Sequence, residues 1–98
     1  MDFRKTIADL ILHSHYKVIA ETARAYDLTL YGEGLESMRF FLGDDMNFRR
    51  YADVPTAAMW MFSPEVGPQP GYSADIRGAA SVAHVYGKEF VAAEFYPA

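Results

Sequence analysis

What most constrains the fold of this sequence is that helical periodicity gives way to a short β-prone run three times within 98 residues. Phe3, Ile7, Leu10, Ile11, Val18 and Ile19 recur at helical spacing, with Asp2 placed to cap and Asp27 at the polar end. This spacing predicts one long amphipathic helix. Leu28-Thr29-Leu30-Tyr31 then reads as a strand, stopped by Gly32-Glu33-Gly34. Gly43-Asp44-Asp45 starts a short helix through Met46 to Arg50, because acidic residues suit a helix N-terminus. A second short strand near Ala52-Asp53-Val54 ends at Pro55.

The segment from Ser63 to Tyr72 holds Pro64, Pro68 and Pro70 with Gly67 and Gly71, and reads as a surface loop. Ser73 is a good N-cap for a helix carrying Ile76, Ala79, Ala80, Val82 and Ala83, and Gly87 stands where a glycine would end it. Phe90-Val91-Ala92-Ala93 is apolar without alternation, as expected of a strand buried on both faces and ending at Glu94. Such alternation predicts an α/β fold with parallel strands covered by helices. Three short parallel strands leave both sheet edges open, so residues 1–98 are expected to form an incomplete single domain that tends to aggregate when isolated.

Charge and composition narrow the function. The net charge is −4 and Lys and Arg form no run, which argues against nucleic acid as a partner. An uncharged ligand suits the chain better. Cysteine is absent, so disulfide and thiolate chemistry are excluded. Neither a signal peptide nor a membrane span is visible, and no membrane partner is expected. Aromatic residues reach 15%, which fits either a dense core or a sugar-stacking cleft.

Glu33 and Glu94 are each expected at the C-terminal end of a strand, the edge where barrel active sites are assembled. Glycosidic cleavage uses one carboxyl group as proton donor and another as base or nucleophile. Two strand-end glutamates supply those groups, although each could equally cap a helix or pair with an arginine. Glu36, Asp44 and Asp45 read as solvated loop charges, since they lack calcium-loop spacing. Asp53 either contacts a sugar hydroxyl or organises its turn. Trp60, with Met59, Met61 and Phe62, forms either a sugar-stacking wall or core. His13 and His15 lie two apart on one helix, unsuitable for joint metal ligation, with one of them able to face the sheet. His84 fits a helix C-terminus. Gly32-Glu33-Gly34 begins no phosphate-binding motif.

Three segments together resemble a known family. Tyr31-Gly32-Glu33-Gly34-Leu35-Glu36 with Leu42-Gly43-Asp44-Asp45, then Ala52-Asp53-Val54-Pro55 through Ala58-Met59-Trp60, then Arg77 to Gly87 ending in Val91-Ala92-Ala93-Glu94, are similar to the catalytic barrel of glycoside hydrolase family 106 α-L-rhamnosidases. The resemblance implies a partial (β/α)8 TIM-type barrel of about three βα units; a whole barrel needs about 250 residues. It implies an inverting hydrolase that removes terminal α-L-rhamnose from a rhamnose-containing glycoside. By position it implies Glu94 as the first candidate catalytic carboxylate, with Glu33 and Glu36 in the acidic loop lining the cleft. Asp53 and Trp60 are carried as substrate-binding candidates beside Glu36. Calcium is a cofactor in some members, and members are usually periplasmic or secreted. The remainder of the barrel is then a required partner, and the isolated chain is expected to be inactive. One departure stands out: many members carry a glutamate where this chain has Ala58. A barrel glycosidase of another sugar specificity, or a non-catalytic carbohydrate-binding or structural module, are the competing readings.

Overall fold

The computed structural model describes residues 2–34, 43–60, 65, 67 and 69–96. The first helical stretch comprises α1 (Phe3–Ile11), a π-helical turn (Leu12–Tyr16) and α2 (Lys17–Ala25). Asp2 caps it as expected, its carboxylate accepting from Arg4 N–H at 3.0 Å. The π turn was not legible in the spacing. Lys17 N–H reaches back five residues to Leu12 O, which widens the turn and puts His13 and His15 both at the surface. Asp27 takes a positive φ of 56°, and Leu28 N–H bonds to Ala23 O at 2.9 Å, so the stretch ends in a Schellman motif.

Three parallel strands follow in sequential order: β1 (Tyr31–Glu33), β2 (Val54–Trp60) and β3 (Ala92–Tyr96). Between them lie α3 (Asp45–Arg49), capped by Asp44, and α4 (Pro70–Val85). The α/β class and parallel sheet agree with the sequence, and this neighbour-to-neighbour order is the one a (β/α) barrel uses. The strand bounds differ. Gly32 and Glu33 belong to β1 instead of stopping it, and Pro55 lies inside the central strand. Val54 N–H donates to Leu30 O at 3.1 Å, so alternation turns the Pro55 nitrogen towards the β3 side. Pairing there begins only at Thr56↔Ala92, and the missing N–H costs no rung.

Helix α4 begins three residues before the expected Ser73 cap, at Pro70, whose fixed φ suits the first helical position. It ends as expected at Gly87, with φ 63° and Lys88 N–H bonded to Ala83 O at 2.8 Å. Asp75, Ala79, Val82 and Ala83 form its buried stripe, and α4 packs more extensively on β2 than any other element pair. With Ala57 and Ala58 they make a core of small residues, extended by Phe48, on which Tyr16 stacks at 4.7 Å between ring centroids. Strand β3 is not buried on both faces as its composition suggested: Ala93, Glu94 and Phe95 are exposed. The apolar stripe of the first helix is also largely uncovered, with Phe3 76% and Leu10 58% exposed.

Candidate functional site

In a parallel sheet all C-terminal strand ends share one edge, and registered residues share one face. Glu33 closes β1 and pairs with Thr56, which pairs with Ala92. Two residues further along, Ala58 pairs with Glu94, and Trp60 closes β2. Glu33, Thr56, Ala58, Trp60 and Glu94 therefore stand on the same face. Glu33 is a strand end, as expected. Glu94 is not: it is the third residue of five in β3, with Phe95 and Tyr96 beyond it.

Trp60 and Glu94 are brought together. The indole Nε1–H donates to Glu94 Oε2 at 3.2 Å, across the diagonal from β2 to β3. Trp60 is 39% exposed, so its ring belongs to the surface of this edge and not to the core. Between the two glutamates lies Ala58, 1% exposed, whose methyl leaves that part of the face uncharged. Two strand spacings of about 4.8 Å place β1 and β3 about 10 Å apart, and two residues of rise separate the glutamates along the strands.

Asp53 lies elsewhere. It precedes β2 at the opposite, N-terminal edge, not at a strand end, and its Oδ2 accepts from Leu30 N–H at 2.9 Å. That bond fixes the turn into the sheet. Glu36 lies outside the described residues, as do Met61 and Phe62 and most of the expected loop. Asp44 and Asp45 are not solvated loop charges. Asp44 caps α3, accepting from Met46 N–H at 3.0 Å and Asn47 Nδ2 at 2.9 Å, and Asp45 accepts from Arg49 Nε at 2.7 Å. Among the described residues no three His, Asp or Glu side chains converge as a metal site. His84 is exposed in the last turn of α4.

Sequence reasoning missed the charged cluster beneath this edge. Arg49, 1% exposed, donates to Asp45, to the Thr56 carbonyl at 3.0 Å and the Asp75 carbonyl at 3.3 Å, and pairs with the Asp75 carboxylate through Nη2. Asp75 Oδ2 in turn accepts from Ala58 N–H at 2.7 Å. Burial pulls the guanidinium pKa down, but hydrogen bonds to Asp75 and Asp45 outweigh it and leave the group above its ordinary value. Two signals pointed here: the Asp45/Arg49 pair at i,i+4, and an aspartate at position 75 in phase with Ala79, Val82 and Ala83. Among the described residues no buried side-chain N or O atom lacks a hydrogen-bond partner.

A cavity of about 160 Å³ borders Glu33 and the rest of β1 on the side of the first helix, lined by residues that include His15, Tyr16, Tyr31, Phe48 and Tyr51. Neither Trp60 nor Glu94 borders it.

The α-L-rhamnosidase family, glycoside hydrolase family 106, matches over residues 1–98. The chain belongs to this family. A rhamnosidase from Novosphingobium sp. PP1Y superimposes with a TM-score of 0.87 at 52% identity, over 93% of this chain and 9% of that one. The family segment seen here thus corresponds to a small part of that rhamnosidase, and its three strands to a part of that enzyme's structure. A comparison with curated proteins finds no match.

Proposed function

We propose that this rhamnosidase-family chain contributes part of the catalytic barrel of an enzyme that cleaves terminal α-L-rhamnosides. Glu94 and Glu33 supply the acid and base carboxyl groups, and Trp60 contacts the sugar. The observation that carries this reading is the Trp60–Glu94 hydrogen bond at the C-terminal edge, on the face that also bears Glu33. A carboxylate held by an indole N–H beside an exposed aromatic face combines a fixed acid–base group with a surface on which a pyranose can stack. Two strand spacings and two residues of rise separate the Glu33 and Glu94 backbones by about 12 Å, which leaves room between the side chains for the water that inversion needs, at a carboxyl spacing of about 6.5–9.5 Å, and favours it over retention at about 5 Å. Glu36, three residues beyond Glu33 in the sequence, is assigned to substrate binding by its match to the family's acidic segment alone. Asp53 serves the turn that feeds β2.

The partial sheet bears on the isolated chain. Both β1 and β3 have an unpaired edge among the described residues, and large apolar side chains such as Phe3, Leu10 and Phe95 are exposed. These surfaces suit the interior joints of a larger barrel, so residues 1–98 act as one portion of a catalytic domain and are inactive alone. The test is turnover of a panel of p-nitrophenyl glycosides by the full-length protein that carries these residues. Release from the α-L-rhamnoside at a rate at least tenfold above the α-L-fucoside and β-D-glucoside supports the reading. Preference for another sugar replaces it with a barrel glycosidase of different specificity, and binding without turnover replaces it with a carbohydrate-binding module.

A further inference from the structure

Strand β1 stops early. The N–H groups of Val54, Thr56 and Ala58 all face the β1 side of β2, as the bond from Val54 N–H to Leu30 O fixes. Glu33 is the last registered residue, opposite Thr56. In a longer β1, the donor at Ala58 would be taken by the strand itself. Here the Asp75 carboxylate takes it at 2.7 Å, reaching in from α4. Arg49 holds Asp75 in that position and also donates to the Thr56 carbonyl, so one guanidinium ties α3 and α4 to the β1-facing edge of β2.

The cluster also meets the chain as it leaves β1. A Cβ built on Gly34 would collide with Asp45 Oδ1 and lie 2.7 Å from Arg49 Cγ and 2.9 Å from Arg49 Nε. Only a residue without a side chain passes at this point. A Cβ on Gly78 of α4 would lie 3.5 Å from Asp45 Oδ2, so the same carboxylate is enclosed from the helix side.

We propose that Arg49, braced by Asp45 and Asp75, is a positioning residue: the cluster replaces a strand rung, turns the chain out of the sheet directly after Glu33, and fixes that carboxylate relative to Glu94. The catalytic part of this statement rests on the rhamnosidase reading above; the geometric part does not. Arg49 touches no substrate. It acts by holding one strand end, and neutral residues filling the same space would stabilise the fold without holding Asp75 on the Ala58 donor.

Two measurements test it. Residues 1–98 contain no cysteine, so in the full-length protein, with any cysteine outside them replaced by serine, nitroxides at Glu33→Cys and Glu94→Cys report that one separation by double electron–electron resonance. A single narrow distance distribution is expected, broadened about twofold or more by Asp75→Asn or by Gly34→Ala, since loss of the cluster's geometry frees the strand end. Gly34→Ala keeps all three charged residues while displacing Asp45 and Arg49, and guards against a variant that fails through lost charge alone. In the full-length protein the same two substitutions should lower kcat on p-nitrophenyl α-L-rhamnoside about 10- to 100-fold with KM within about threefold, as a misplacement near 1 Å does. Folded variants with an unchanged distance distribution overturn the proposal. So does a broadened distribution with unchanged kcat, or a kcat loss that only follows the folded fraction. A wild-type protein inert on rhamnosides removes the proposed function, while the distance measurement still decides the geometric claim.

Discussion

Removing the Arg49 side chain should be among the most damaging single changes in this chain, and its size follows from what the guanidinium leaves behind. Arg49→Met keeps most of the volume but strips Asp75, whose side chain is 4% exposed, and Asp45, 26% exposed, of their cation. It also removes the donor to the Thr56 carbonyl. Breaking a buried pair by removing one partner costs about 3–5 kcal/mol, because an uncompensated charge stays inside. Asp75→Ala should cost about 3 kcal/mol by the same reasoning, with the Ala58 N–H left unpaired as well. The double variant Arg49→Met/Asp75→Ala removes both charges and should cost only about 3–4 kcal/mol in total, a coupling of about 2–5 kcal/mol. Urea unfolding of the three variants, followed by circular dichroism, measures this. A slope near 1–1.5 kcal/mol/M turns the Arg49→Met loss into a midpoint shift of about 2–5 M. Single-variant losses that add to within about 0.5 kcal/mol in the double variant would refute the reasoning, since independent sites do that and a shared buried pair does not.

Three further outcomes are expected. Pro55→Ala should change stability by less than about 1 kcal/mol, since the nitrogen faces an unpaired stretch, whereas Ala57→Pro should cost about 3 kcal/mol or more; thermal denaturation distinguishes them. Asp27→Gly should stabilise the chain by up to about 1 kcal/mol by relieving the positive φ of 56° at the end of α2, again read as a shift in denaturation midpoint. Burial first, then the charge of Asp45, raises the Tyr16 phenol above its ordinary value, with Arg49 opposing. An acid with a raised folded-state pKa binds its proton more tightly when folded, so its stabilisation is complete below about pH 10 and is lost as pH rises through the folded value. Tyr16→Phe should therefore flatten the alkaline end of the stability profile; an unchanged profile contradicts this.

The order of elements was legible in the sequence because the helical and β periods differ and because Asp2, Asp44 and Gly87 punctuate it with recognisable cap chemistry. Strand bounds were not. Each strand begins two or three residues later than the branched and aromatic residues suggest, at Tyr31, Val54 and Ala92. Gly32, Pro55 and the alanines at 57, 58, 92 and 93 look like stops or helix formers in isolation. They serve as strand positions because the register sets what pairs with each and α4 packs on the strand that carries Ala57 and Ala58. The exposed apolar stripe of the first helix has the same root. Its period specifies a buried face but not which element covers it, and in this chain Phe3 and Leu10 stay exposed.

The candidate site was legible in part. Glu33 was placed at a strand end, and it is; Trp60 was read as following a strand that ended at Pro55, whereas it closes β2; Glu94 was expected at a strand end and lies mid-strand on the same face as Glu33 and Trp60. Asp53 was placed at a strand end, but that strand begins after it; of its two readings, organising the turn is the one its bond from Leu30 N–H fits. The Arg49 cluster escaped because Asp75 lies far along the chain from Arg49, and only Asp45 and Arg49 share a local spacing. Besides that pair, the aspartate at position 75 in the apolar phase of a small-residue helix was a clue that composition cannot weigh.

The measurement closest to the central claim is hydrolysis of p-nitrophenyl α-L-rhamnoside by the full-length protein, wild type against Glu94→Gln and Glu33→Gln, with Glu89→Gln in the exposed turn before β3 as control. If these glutamates are the acid and base, each amide variant should lose about 10²- to 10⁴-fold in kcat while the control keeps the wild-type rate. Wild-type rates in both Glu94→Gln and Glu33→Gln would contradict the account.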